Sequence, residues 1–198
     1  MPVIDLPDAD IYFDPLYLPA SEADLLFEHL LHQTDWQEDR IKIFGKEYLQ
    51  PRLTALYATN KNPYSYSGIT LHPSPFPEPI LKIKNKLQND FDIQFTTCLL
   101  NLYRNGEDSN GWHADNEKEL GSQPKIASIS LGATRKFKLK HNYKKSLKHD
   151  IILPHRSLLL MQGNTQHFWK HQIPKTKKLV GPRINLTFRI IKNDKQKI

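Results

Sequence analysis

The residues best placed to do chemistry lie in Asn101 to Glu117, NLYRNGEDSNGWHADNE, and in two later anchors, His171 and the run GPRINLTFRII from Gly181 to Ile191. His113 and Asp115 sit two apart, so on extended backbone both side chains leave the same face and can grip one metal ion. His171, 58 residues on, is the candidate third ligand. Two histidines and one carboxylate occupy one face of an octahedron and leave three positions open, a set suited to Fe(II) and to reactions with dioxygen. Arg183 and Arg189, shortly after His171, offer fixed positive forks for a dicarboxylate. The spacing alone also admits a plainer reading, in which His113 caps a turn through Asp115 and His171 is a loop histidine.

These residues need strands to position them. Arg183, Asn185, Thr187 and Arg189 alternate with Ile184, Leu186, Phe188 and Ile190, so one face of this segment is polar throughout. A polar face on an otherwise core-like strand points to a ligand-lined pocket. From Ile93 onward IQFTTCLLNLYR, KIASISLG, TRKFKLK, DIILP, RSLLLMQG and RINLTFRII follow one another without intervening helices. That order predicts a sandwich or jelly roll rather than a parallel sheet. Upstream, residues 1–19 read as an irregular arm with a short strand at Ile11 to Phe13. SEADLLFEHLLHQ predicts a helix opened by a Ser21 cap. A second helix is expected over PEPILKIKNKLQNDF, with Ile80, Ile83, Leu87 and Phe91 on one face. Between them, Arg40 to Glu47 reads as a hairpin turning at Gly45, and ATNKNPYSYSG as an aromatic loop in which Tyr64 and Tyr66 share a face.

The chain has 198 residues, 38% hydrophobic and 25% charged, enough for one domain with a proper core. It contains no apolar run of the roughly 18 residues that a membrane span requires. The acidic start MPVIDLPDADIYF is unlike a signal peptide. The single cysteine, Cys98, sits in an apolar stretch and reads as packing in a reducing compartment. An intracellular protein is therefore expected, in the cytoplasm of a bacterium or the nucleus of a eukaryote, and as a monomer. The net charge of +7 is unevenly spread, since residues 1–40 hold ten acids and one base. The basic remainder suits a polyanion. Arg135 to Lys148, with seven bases and no acid, and Lys175, Lys177 and Lys178 are candidates for phosphate contacts, although any single lysine among them is more readily read as a solvated tip.

The segments N-x-Y-R, H-x-D-x-E and P-R-x-N-L-T-F-R, in this order from about Ile41 to Ile191, resemble the AlkB family of Fe(II)/2-oxoglutarate dioxygenases, most closely its duplex-DNA repair members. The resemblance implies a mainly β, α+β fold with a double-stranded β-helix (jelly roll) core at residues 93–191, preceded over 1–92 by the arm, helices and nucleotide-recognition hairpins. It implies oxidative removal of alkyl groups from bases such as 1-methyladenine and 3-methylcytosine in DNA. His113, Asp115 and His171 match the metal ligands, and Asn101, Tyr103, Arg183, Asn185, Thr187 and Arg189 the 2-oxoglutarate site. Phe44 matches a wedge that enters the base stack, Tyr66, with Tyr64 beside it, a plate for the flipped base, and Glu117 an acid that reads the base's exocyclic amino group. Lys144, Lys145, Lys175, Lys177 and Lys178 fall in the hairpin and basic cluster that grip the strands in relatives, and Arg52 is a further candidate for substrate binding. Each has a plainer alternative: Phe44 in the core, the tyrosines pinning a loop, Glu117 solvated. Asp115 sets the chain apart from related halogenases, which lack this carboxylate. Asn116 departs from the duplex-repair members, which have Asp, and the basic hairpin is shorter than theirs. An RNA demethylase, an oxygenase for another substrate, and a non-catalytic nucleic-acid binder are the alternatives.

Overall fold

The computed structural model describes residues 3–43, 46–60, 64–66 and 69–191. In chain order the strands and helices are β1 (Asp10–Asp14), α1 (Ala20–Gln33), β2 (Arg40–Ile43), β3 (Lys46–Leu49), β4 (Leu53–Ala58), β5 (Tyr64–Tyr66), β6 (Ile69–Leu71), α2 (Glu78–Phe91), β7 (Thr97–Tyr103), β8 (Asn110–His113), β9 (Ile126–Gly132), β10 (Arg135–His141), β11 (Lys148–Leu153), β12 (Ser157–Gln162), α3 (Thr165–Phe168), β13 (Trp169–Ile173) and β14 (Arg183–Arg189). Two antiparallel sheets form the body. The larger runs β1-β12-β9-β14-β7-β4 and the smaller β11-β10-β13-β8, while β2-β3 and β5-β6 are separate hairpins. This is the jelly roll expected from the strand order.

The larger sheet is covered on both sides, which explains its nearly continuous apolar runs. One face carries Cys98, Leu100 and Leu102 of β7, Ala127, Ile129 and Leu131 of β9, and Ile184, Leu186 and Phe188 of β14. These pack with Leu26 and Leu30 of α1 and Ile80, Ile83 and Leu87 of α2. The other face meets Phe137, Leu139, Ile151 and Trp169 of the smaller sheet. Strand β10 shows the rule of alternation plainly: in RKFKLKH the residues Arg135, Phe137, Leu139 and His141 are buried and the lysines between them are not.

Several expectations are corrected. Residues 1–19 are more than an arm, because β1 joins the larger sheet along β12, with Ile11 opposite Met161. Both β1 and β4 lie before residue 93, so the larger sheet draws on both halves of the chain. Helix α1 begins before Ser21: Pro19 flanks it, its carbonyl accepts the Ala23 N–H at 3.0 Å, and no side chain caps the helix. The stretch read as an aromatic loop contains β5, paired with β6 from Tyr64↔Leu71 to Tyr66↔Ile69. The expected basic hairpin forms from β2 and β3, but Phe44 and Gly45 at its turn lie outside the described residues. Buried Cys98 is a packing residue, its thiol pushed well above its usual range by burial.

Candidate metal and co-substrate site

Between the two sheets lies a cavity of about 630 Å³. The smaller sheet brings the three candidate metal ligands to its wall. His113 ends β8 and faces His171 of β13 directly in the register, so the loop-histidine reading is excluded, and Asp115 follows β8 by two residues. One ligand atom from each of the three lies within 4.8 Å of the others. The His113 and His171 rings meet edge-on at 4.2 Å, and Phe137 stacks on His171 at 5.1 Å.

The surroundings of the three ligands suit a cation. His113 Nδ1 is 2.8 Å from the Gly111 carbonyl, which can only accept, so Nδ1 donates there and Nε2 is the ring nitrogen left to face a metal. Burial, together with nearby His113 and Arg189, pushes the His171 pKa down to about 3, so its ring is neutral at ordinary pH. Burial acts to raise the Asp115 carboxyl, but Arg189, His171 and His113 outweigh it and bring it down to about 2. The Asp115 backbone N–H donates to Gln166 Oε1 at 2.9 Å, and Arg189 Nη2 donates to Asp115 Oδ1 at 3.0 Å.

The larger sheet supplies the opposite wall. Antiparallel pairing sets Arg183 opposite Tyr103 and Asn185 opposite Asn101. Arg183 is 1% exposed, and its Nη2 donates to Ser130 Oγ at 2.8 Å. Its Nε and Nη1 are buried with no hydrogen-bond partner among the described residues. Burial first, and then neighbouring Arg135, lower its pKa to about 10, which leaves it charged at neutral pH. A buried cation with two unused N–H groups at a cavity wall lacks an anion, and a carboxylate fits it in charge and shape. Asn185 and Thr187 line the cavity but are engaged sideways: Asn185 Nδ2 donates to Ser128 Oγ at 2.7 Å, and Thr187 Oγ1 to Asn185 Oδ1 at 2.9 Å.

Arg52 and Glu117 also reach this cavity. Arg52 is buried, with Nε donating to Asn101 Oδ1 at 2.8 Å, so it braces the strand beneath the site. Glu117 is partly buried, and its Oε2 has no partner among the described residues. Burial and the Asp115 charge raise its pKa. Tyr64 and Tyr66 are placed by backbone alone. Lys144 and Lys145 lie in the turn between β10 and β11, and Lys175, Lys177 and Lys178 between β13 and β14; all five are exposed and none lines the cavity. Arg135, read with the basic run, is 3% exposed and donates to the carbonyls of Asn105, Asp108 and Pro174, so it cannot meet a phosphate. Ser128, Ser130 and Gln166 went unread in the sequence. The two serines alternate on a strand that is otherwise apolar, the same signal that marks β14; Gln166, in a four-residue helix, gives no such sign.

Comparison with known proteins agrees with this geometry. Residues 10–189 match the 2OG-Fe(II) oxygenase superfamily. The chain is 40% identical over 191 residues to alpha-ketoglutarate-dependent dioxygenase alkB homolog 3 of Bos taurus, covering 91% of this chain and 65% of that protein. It is 34% identical over 181 residues to DNA oxidative demethylase ALKBH2 of Bos taurus, covering 86% of this chain and 65% of that protein. The chain thus spans just under two thirds of the length of these relatives. The solved structure of OsALKBH1 superposes with a TM-score of 0.62 at 17% identity, over 96% of this chain and 100% of that one, a likeness of fold. The family and the triad together make Fe(II) the metal and 2-oxoglutarate the co-substrate that these residues suit. This chain belongs to the 2OG-Fe(II) oxygenase superfamily, in its AlkB branch.

Proposed function

We propose that the protein removes alkyl groups oxidatively from nucleobases, with 1-methyladenine and 3-methylcytosine in DNA as substrates. The observation that carries this reading is the single cavity walled on one side by His113, Asp115 and His171 and on the other by Arg183 with its unused N–H groups. Fe(II) with 2-oxoglutarate and O2 supplies, when bound, the oxidising power to hydroxylate an alkyl C–H bond. The chain supplies position. His113, Asp115 and His171 hold the metal, and Arg183 anchors the far carboxylate of the co-substrate, with Tyr103 and Asn101 beside it. Arg189 fixes the Asp115 carboxylate. Glu117, with a free acceptor oxygen at the cavity wall, accepts a hydrogen bond from the base's exocyclic amino group. Tyr66 stacks on the flipped base and Phe44 fills the gap it leaves, roles that rest on the motif resemblance. The names of the alkB homolog 3 and ALKBH2 relatives support this class of reaction.

The test is mass spectrometry of an oligonucleotide carrying one 1-methyladenine, incubated with protein, Fe(II), 2-oxoglutarate and O2, alongside His171→Ala. Loss of one methyl mass with the wild type only is expected. If the methyl group survives while 2-oxoglutarate is still converted to succinate, the substrate lies elsewhere.

A further inference from the structure

The outer face of the smaller sheet is left unexplained by the cavity. Alternation sends Lys136, Lys138 and Lys140 of β10 outward, with Lys148 and Asp150 of β11 and Lys170 of β13 beside them in the register. Asp150 is taken up by Lys136 at 2.9 Å. Among the described residues no carboxylate lies within ion-pair distance of Lys138, Lys140, Lys148 or Lys170. This largely basic patch borders a depression of about 520 Å³ lined by Lys138, Lys140, Lys148 and Trp112 together with Leu139, His149 and Asp150, the last of them held by Lys136.

Trp112 is the residue immediately before His113, and it borders this depression and the metal cavity alike. It is 37% exposed, while Trp169, on the neighbouring strand, is 1% exposed. Its partly exposed indole leaves an aromatic ring accessible beside the lysines. Lys140 Nζ sits 4.4 Å from its ring centroid, a cation–π contact that holds the ring beside the groove. Lysines tracking a groove with an aromatic plate at one end are the elements by which proteins hold single-stranded nucleic acid: charge for the phosphates, a π face for a base.

We propose that this groove holds the stretch of single strand flanking the reacting nucleotide, with a neighbouring base stacked on the Trp112 face away from Lys140 and its phosphates met by Lys138 and Lys148. The inference rests on the nucleic-acid reading above and assigns it a surface outside the cavity. Since Trp112 walls both spaces, a strand that delivers one base to the metal has its next nucleotides at the groove.

The test is fluorescence anisotropy of a short labelled oligothymidylate binding to the full chain, repeated across salt concentrations. Trp112→Ala weakens binding by about tenfold, and Trp112→Phe, which keeps a ring, restores most of it. Lys138→Gln with Lys148→Gln lowers the salt slope by about 1.4 through loss of two phosphate contacts. Equal affinity for wild type and Trp112→Ala, or an unchanged salt slope in the lysine variant, overturns the proposal. So does displacement of the oligonucleotide by polyglutamate as readily as by unlabelled DNA, which would mark a dock for acidic protein. Dealkylation in the same samples separates the two readings. Methyl loss without the Trp112 effect removes the groove and keeps the reaction, whereas the Trp112 effect without methyl loss does the reverse.

Discussion

At the scale of single residues, Arg183 is the most informative side chain. Its Nε and Nη1 are buried with no hydrogen-bond partner among the described residues, in a cage made by Ser130 on one side and the Tyr103 ring, 5.2 Å from its Cζ, on another. Removing one partner of a buried charge-assisted pair costs about 3 kcal/mol, which is more than about a hundredfold in affinity. Arg183→Met is therefore expected to raise the KM for 2-oxoglutarate by at least that factor while leaving Mn(II) binding at the histidines unchanged, as a metal titration would show. Arg183→Lys will not rescue it, because one ammonium cannot reproduce the donors that a guanidinium presents from separate nitrogens. The position was legible in the sequence, since a polar residue on every second site of a core strand has few explanations but a pocket. Arg135 shows the opposite. The three carbonyls that hold it come from segments near residues 105, 108 and 174, so no local pattern could separate it from the exposed lysines that follow.

At the scale of elements, the walls of the site depend on two tight junctions. Gly132 closes β9 at φ +81°, and a Cβ there would stand 2.5 Å from the Pro182 carbonyl and 2.6 Å from the Phe27 ring of α1. Gly132→Ala should cost about 2–4 kcal/mol in urea unfolding, from backbone strain and from a clash with main chain that cannot step aside. Because Arg183 pairs with Gly132 in the register, 2-oxoglutarate affinity should fall as well. The second junction is the loop from β7 to β8. Asp108 accepts from the Arg104 backbone N–H at 2.8 Å and from its Nε and Nη2 at 2.8 and 2.9 Å. Burial acts to raise the Asp108 carboxyl, but these bonds and the Arg135 charge keep it below its ordinary 3.8. Its contribution is thus complete above that pH and is lost as pH falls below it. Asp108→Asn should destabilise the neutral protein by about 2 kcal/mol, with the deficit shrinking when unfolding is followed below pH 3.8. The strands themselves were readable from periodicity. The glycine junction and the Asp108 loop were not, because each depends on what a distant segment places against it.

At the scale of the whole molecule, the uneven charge takes a definite form. The acidic beginning of the chain folds back on the basic half: Asp8 lies 2.9 Å from Lys144 Nζ and 3.1 Å from His141 Nε2. Lys144 is thereby partly neutralised, and the basic turn is less free for phosphate than its sequence implies. Asp8→Asn should tighten oligonucleotide binding by about twofold and steepen its salt dependence, both read in one titration series. No described helix is long and apolar enough to cross a membrane. Between the two sheets, the metal ligands all belong to one wall and the candidate co-substrate anchors to the other. The molecule is in this sense a pair of calipers, with jaws set by the packing of Phe137 and Leu139 against Tyr103 and Ile126. In the proposed reaction a diacid that chelates at one jaw and seats its far carboxylate at the other is gauged for length by the core itself, so selection among chain lengths rests on the packing between the jaws as much as on the groups that hold the ligand's charged ends.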